Sequence, residues 1–426
     1  MIGILLKLIN GPGLALAVFG CGVVLTVKLR AAFGMRNLVR AVKNQSGDMP
    51  PVKAMCIALA GTLGVGNIAG VASAISVGGA GAVFWMWISA LFAMAIKYAE
   101  TVLALKHRRQ RHGGAFYYML DSGAVVAAWI FALLCIFASF TIGSSIQSNA
   151  AATCLESQTG LDPRLCGAVF AVCSFVIISG GSKRISDFIL AIVPIASLGY
   201  AIISIYIIAT NLACLPGVFR EIISEALGAR AFAGGIAGFF TSKALSLGVT
   251  RGLVSNEAGC GTAPIAHSGS DAKEPAVQGI FGMLEVFIDT LFLCSLTAFV
   301  VLIARERGIS LSDDGMTAAL EAFGEFIPFS GAFLSAAVTL FAFATVICWY
   351  FYGSESLFFL GAGSKLKLFY RVGFSLATGL GAFLGGGILW ELSDLTIGAM
   401  TLLNLFFVMK HISEIKSETC TLNKKR

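Results

Sequence analysis

The sequence predicts an all-α polytopic membrane protein of about eleven spanning helices, and three observations carry that reading. The 426 residues are 57% hydrophobic and only 12% charged, with a mean hydropathy of +0.86, where a soluble chain has roughly 25% charged residues. Apolar runs recur along the whole chain, each near the roughly 20 residues that a bilayer core requires. Basic residues gather in alternate connections, the asymmetry that orients spanning segments. The formal charge of +7 therefore reflects loops that face anionic lipid and calls for no nucleic-acid partner.

The runs lie at 11–33, 54–76, 81–105, 124–150, 165–181, 187–210, 231–250, 276–304, 331–360, 368–388 and 394–412. The first is followed by Lys28, Arg30, Arg36 and Arg40 without a small-residue cleavage site, so it reads as a retained helix. The second contains GTLGVGNIAG from Gly61 to Gly70, with four glycines and an asparagine inside a membrane-length segment. Glycine loosens helical backbone, and freed amides and carbonyls at membrane depth are tolerated only where they line an enclosed cavity. This break is a candidate site for a small solute or ion, as in secondary transporters with interrupted helices. The alternative is that the glycines merely permit close helix packing. A dinucleotide loop is excluded, because no soluble βαβ pattern flanks the motif.

The seventh run is short and polar, is also interrupted by glycine, and lies five runs after the second. That spacing predicts a leading helix at 11–33 followed by two five-helix repeats, 54–210 and 231–412, within one transmembrane domain spanning 1–426. An odd number of helices per repeat inverts the second copy. With the amino terminus outside and the carboxyl terminus cytoplasmic, most of the 30 basic residues fall inside, which predicts a multi-pass protein of the cell inner membrane. Eleven cysteines are scattered without CxxC pairs, so neither a zinc nor a redox motif is indicated. Cys154 and Cys166 flank a loop placed outside, where a disulfide is chemically allowed.

Five ordered blocks resemble the alanine or glycine:cation symporters, also called sodium:alanine symporters: GTLGVGNIAGVASAI from Gly61, GAVFWMW from Gly81 with KYAE at Lys97, RGLVSNEAGCGTAPIAHS from Arg251, LEVFIDT from Leu284, and FAFATVICWYFYGSE from Phe341. The resemblance covers nearly the whole chain. It implies a LeuT-like fold and uptake of a small neutral amino acid such as alanine or glycine, driven by a sodium gradient, with no enzymatic step and no cofactor beyond Na⁺.

A zwitterion needs donors for its carboxylate and acceptors for its ammonium, and the unwound segment Gly64, Val65, Gly66 and Asn67 offers both from backbone. Gln147, in TIGSSIQSNA with Asn149, is a pocket residue by the resemblance, and an interhelical hydrogen bond is its alternative. Phe239 or Phe240 would close the pocket and Thr241 and Ser242 would offer oxygens, with core packing open for each phenylalanine. Thr345 matches the family's cation ligand, with a bond back to its own helix as the alternative. Family members commonly carry a second hydroxyl just before it, and this chain has Ala344.

Lys243 stands where the family has a small residue, and a charge near a helix centre costs about 2.5–3.5 kcal/mol on insertion scales. It is the candidate coupling residue, replacing a cation or titrating during transport; snorkelling or pairing with Glu285 or Asp289 is the alternative. Ala344 and Lys243 together keep a proton-coupled or uncoupled carrier open. Lys97 and Glu100 read as a structural pair, and the resemblance of the inward segment SNEAGCGTAPIAHS makes Asn256, Glu257 and His267 a scaffold, with an inner gate as the alternative. A channel would need a ring of charges or a filter motif, and neither is evident.

Overall fold

The computed structural model describes residues 12–43, 45–227, 243–384 and 387–424, and apart from a single bridge between Arg109 and His112 these residues contain no β-structure. The helices are α1 Pro12–Lys28, α2 Met35–Lys43, α3 Pro51–Thr62, α4 Ala69–Gly78, α5 Gly81–Lys106, α6 Ala115–Asp121, α7 Val125–Phe140, α8 Ile146–Thr159, α9 Pro163–Ser179 and α10 Gly181–Thr210. They continue with α11 Leu215–Leu227, α12 Lys243–Asn256, α13 Ala263–Ser268, α14 Pro275–Val286, α15 Ser295–Glu306, α16 Gly315–Gly324, α17 Ser330–Phe359, α18 Ser364–Gly381, α19 Gly387–Lys410 and α20 Ile412–Lys424.

Six helical runs among the described residues are long and apolar enough to cross a membrane: α5, α7 with α8, α10, α14 with α15, α17 and α19. The pair α3 and α4 makes a seventh, bent by 70° at its break. The remaining expected spans fall short of that test for identifiable reasons. α1 and α9 are apolar but only 17 residues long, and α18 carries Lys365, Lys367 and Arg371 within its 18 residues. The run predicted at 231–250 is described only from Lys243, where α12 begins, and α12 continues to Asn256.

Burial divides these helices into an interior pair and a periphery. α5 is the most enclosed of the six, 78% buried along its apolar window, and the α14–α15 run follows at 72%. They approach closely because α14 presents Gly279 and Gly282 to α5: a Cβ at Gly279 would lie 2.7 Å from Val102 and one at Gly282 2.7 Å from Thr101. α10 is only 33% buried. It turns Ile195, Leu198, Ile202 and Tyr206 outward, an apolar stripe at helical spacing of the kind that faces lipid rather than water.

Two π-helical turns interrupt long runs, at Thr141–Ser145 between α7 and α8 and at Phe287–Cys294 between α14 and α15. Such turns re-aim side chains and recur at functional sites. The second lies against the α3–α4 break. Cys154 on α8 and Cys166 on α9 are both buried free thiols, so the disulfide allowed by their spacing is absent; each is used as a small packing residue.

Candidate functional site

The α3–α4 break is built by redirected backbone hydrogen bonds. Continuing the helix would require the Gly64 N–H to reach the Ala60 carbonyl, but it donates instead to Thr62 O at 2.9 Å and Asn67 Oδ1 at 3.2 Å. The Asn67 N–H turns to Gly64 O at 3.3 Å rather than to Leu63. These departures leave the carbonyls of Ala60 and Leu63 without their helical donors, and the same side chain meets both. Thr345 Oγ1 lies 2.9 Å from Ala60 O, 3.3 Å from Leu63 O and 3.0 Å from Phe341 O on its own helix. A hydroxyl has one hydrogen and cannot serve three acceptors at once.

The Val65 N–H leaves the helix in the same way and donates to Gln147 Oε1 at 3.2 Å, while Gln147 Nε2 donates to Ile142 O at 3.1 Å. Trp349 Nε1 approaches the abandoned Gly61 carbonyl at 3.4 Å. Glycine is required at 64 by close approach, since a Cβ there would lie 2.8 Å from Gln147 Oε1 and 3.1 Å from Thr345 Oγ1.

On the opposite flank Asn67 faces Asp289, carried by the second π turn. Asn67 Nδ2 donates to Asp289 Oδ1 at 2.7 Å, and the hydroxyls of Ser255 and Thr290 donate to Oδ2 at 2.8 and 2.7 Å. Thr297 Oγ1 donates to Asn67 O at 2.8 Å. Asp289 is fully buried, and these three donors are what make a buried carboxylate tolerable.

Between the flanks lies a small cavity of about 20 Å³, lined by Gly61, Thr62, Gly64, Gly66, Ile142, Gln147, Val254, Glu257, Trp349 and Trp390, a volume that suits about one water. Among the described residues the Gly66 N–H meets no acceptor. Next to this cavity, a cleft of about 220 Å³ involves Val65, Ala69, Asn149, Arg251, Asp314 and Trp390.

The structure therefore brings Gly64, Val65, Gly66, Asn67, Gln147 and Thr345 together. Both alternatives for Gln147 and Thr345 are present as well: Gln147 bonds across helices and Thr345 bonds back to Phe341. Asn149 does something different from Gln147, holding the carbonyls of Ala382 and Leu384 at 3.3 and 3.4 Å. Phe239, Phe240, Thr241 and Ser242 lie outside the described residues. Lys243 is exposed at the start of α12, and the alternative of its pairing with Glu285 or Asp289 is not found, because both acids are held by other partners.

Glu285 instead accepts from Lys97 at 3.4 Å and faces His267 Nε2 at 2.7 Å. Gln278 Nε2 donates to His267 Nδ1 at 2.7 Å, which leaves Nε2 as the protonated nitrogen that donates to Glu285. Lys97 also meets Glu100 at 3.8 Å. Glu100 accepts from the Gly259 and Gly261 N–H groups at 3.3 and 3.2 Å and from Asn404 at 2.8 Å, so it ties down the loop that follows α12. Asn256 donates to Thr290 Oγ1 and accepts from the Ala258 N–H, each at 3.0 Å, so it and His267 make the contacts of a scaffold. Glu257 is more: with φ of 50° it ends α12 in the left-handed region and places a buried carboxylate on the cavity wall. Glu257 and Trp349 are cavity residues that the sequence pattern does not reveal.

The model of the sodium:alanine symporter family matches residues 1–425. The sodium/alanine symporter AgcS of Methanococcus maripaludis is 34% identical over 437 aligned residues, covering 98% of this chain and 95% of that protein. The amino-acid carrier protein AlsT of Bacillus subtilis is 32% identical, covering 90% and 82%. Among solved structures, MhsT in complex with L-phenylalanine superimposes with a TM-score of 0.63 at 14% identity, over 88% of this chain and 92% of that one. A Na⁺-coupled sialic acid symporter gives 0.56 at 12% identity, over 97% and 85%; at such identities the likeness speaks for the fold, a LeuT-type arrangement of helices. A buried broken helix with carbonyls and amides turned out of the helical ladder, lipid-facing apolar stripes and a family match from end to end lead to one conclusion: the chain belongs to the sodium:alanine symporter family.

Proposed function

We propose that the protein is a secondary active transporter that takes up a small neutral amino acid such as alanine or glycine together with a sodium ion, by alternating access. The observation that carries this reading is the meeting of Ala60 O, Leu63 O and Thr345 Oγ1, three oxygens that share one hydrogen. A hard monovalent cation replaces that hydrogen's work, because sodium takes oxygen ligands of this kind at the end of a half-helix. In the same reading the Gly66 N–H receives the substrate carboxylate, and Gln147 and Trp349 shape the pocket. Glu257 offers the ammonium an acceptor. The small cavity enlarges as one helix bundle rocks against the other. Residues 54–210 and 231–412 form the two inverted repeats behind the leading helix. The amino terminus lies outside and the carboxyl terminus in the cytoplasm, in the cell inner membrane.

Ala344 favours a second reading in which a proton is the coupling ion, since it removes a hydroxyl beside Thr345. Labelled alanine and glycine uptake into proteoliposomes, with sodium and proton gradients imposed separately, tests both. Accumulation that requires inward sodium supports the first reading. Accumulation driven by protons alone replaces it with the second, and Lys243 then becomes the coupling residue to substitute. Absence of uptake under either gradient overturns the choice of substrate.

A further inference from the structure

Two of the chain's four histidines meet where the ends of two long helices come together. His107 follows the last residue of α5, and His411 joins α19 to α20. Their rings are 5.7 Å apart, and both side chains are largely buried, at 15% and 14% exposure. Glu414, in the first turn of α20, stands beside both: its Oε1 is 3.0 Å from His107 Nε2 and its Oε2 is 4.0 Å from His411 Nε2. One ligand atom from each of the three residues lies within 4.8 Å of the other two.

The hydrogen-bond partners fix which ring nitrogens are free. His107 Nδ1 is 2.8 Å from Asp121 Oδ2, and a carboxylate only accepts, so Nδ1 carries a hydrogen. His107 Nε2 faces a second carboxylate, Glu414, at 3.0 Å, a contact that needs a positive centre between the two atoms, either a proton on the ring or a metal ion in its place. His411 Nδ1 is 2.9 Å from the Phe407 carbonyl, which leaves its Nε2 as the lone-pair nitrogen. Its neighbour Ser122 Oγ, at 3.1 Å, donates its hydrogen to Tyr118 O at 2.7 Å. Two imidazole nitrogens and a carboxylate thus converge on one point.

We propose that His107, His411 and Glu414 bind one divalent transition-metal ion of the zinc type. Zinc takes imidazole nitrogens and carboxylate oxygens at about 2.0–2.2 Å in a tetrahedron, so its ligand atoms stand roughly 3.3–3.6 Å apart, between the two distances of 3.0 and 4.0 Å found here. Asp121 supplies the carboxylate behind the histidine that orients a ligating ring. The charges around the site are Lys106, which lies 2.8 Å from Glu418 and 3.3 Å from Glu414, and Arg109, which pairs with Asp121. Lys106 has its nearer partner in Glu418 and keeps it when Glu414 turns to the metal. The bound ion clamps the chain's last helix to the α5–α6 connection, segments about 300 residues apart in sequence.

The test is calorimetric titration of the full-length, untagged protein in detergent with zinc chloride after chelator treatment, with cobalt(II) absorption as the second readout. One zinc per chain and an intense visible cobalt band, both lost in His411→Ala and in Glu414→Gln, are expected. Asp121→Asn weakens binding by about 10–100-fold without removing it. Binding falls as the pH is lowered, because protons compete with the metal for the ring nitrogens. No zinc uptake, equal uptake by wild type and His411→Ala, or binding indifferent to pH would each overturn the site. Transport assays play no part, so failure here is separable from failure of the transport reading.

Discussion

On one flank of the Leu63–Ile68 break an acid is surrounded by donors, and on the other a single hydroxyl is surrounded by acceptors. Asp289 receives three hydrogen bonds, from Asn67, Ser255 and Thr290, and needs no cation to remain buried. Thr345 stands among three carbonyls with one hydrogen to share. The donor-rich flank is complete as it stands and acts as a fixed anchor for Asn67. In the proposed transport reading, the acceptor-rich flank is where a positive ion lowers the energy. A carboxylate in a membrane protein is thus no guide by itself to where a cation binds; the balance of donors and acceptors is.

The largest effect should come from breaking the anchor. Asp289→Ala removes the carboxylate that three buried donors share: Thr290 loses its acceptor, while Asn67 keeps only the residue's backbone carbonyl and Cys294 Sγ, and Ser255 only Cys294 Sγ; a buried donor left unsatisfied costs about 1–3 kcal/mol. Transport should be abolished and the thermal unfolding temperature of the purified protein should fall sharply. A well-folded Asp289→Ala with wild-type uptake would remove the anchor from the comparison. Gly64→Ala comes next, because its Cβ collides with Gln147 and Thr345; overpacking of this kind costs about 1–3 kcal/mol, with uptake reduced at least about tenfold.

Thr345→Ala should shift the sodium concentration for half-maximal uptake upward by about 10–100-fold, the equivalent of one hydrogen bond or ligand contact to a charge. Thr345→Ser should stay near wild type. Equal sodium dependence in all three would move the cation elsewhere. Gly66→Ala has the smallest expected effect on stability, within about 0.5 kcal/mol, since its Cβ meets only Ser255 Cα at 3.7 Å. Uptake should nevertheless fall, because the methyl group enters the cavity. Unaltered alanine uptake in this variant would place the substrate outside the cavity.

The break itself is legible because glycines and an asparagine are conspicuous in an apolar run, and neither residue type has a reason to be there in a lipid-facing helix. Thr345 is legible only through its resemblance to a family block, and Gln147 stands out among small polar residues at membrane depth but takes its pocket role from the resemblance, since one polar residue in a span reads equally well as an interhelical bond. Trp349 escapes notice because a tryptophan within CWYFY looks like any aromatic packing residue. Glu257 reads as scaffold because local sequence does not tell which side of a loop faces a cavity. The alternative pairing for Lys243 is absent for a related reason. Asp289 and Glu285 find their partners on helices brought near by folding, and charge alone does not say which lysine is close. The two histidines near the chain's last helix are the extreme case, with partners separated by most of the sequence.

The 70° bend between α3 and α4 also splits one helix dipole into two. An unbroken spanning helix keeps its partial charges, about half an elementary charge each, at the two membrane surfaces. Here the negative end of α3 and the positive end of α4 face each other within the bundle, a few residues apart. A molecule carrying both signs of charge on one carbon engages both ends at once, whereas a simple amine or a simple acid engages only one. In the proposed transport reading, a zwitterionic cargo meets a field already shaped for it, before any side chain is considered.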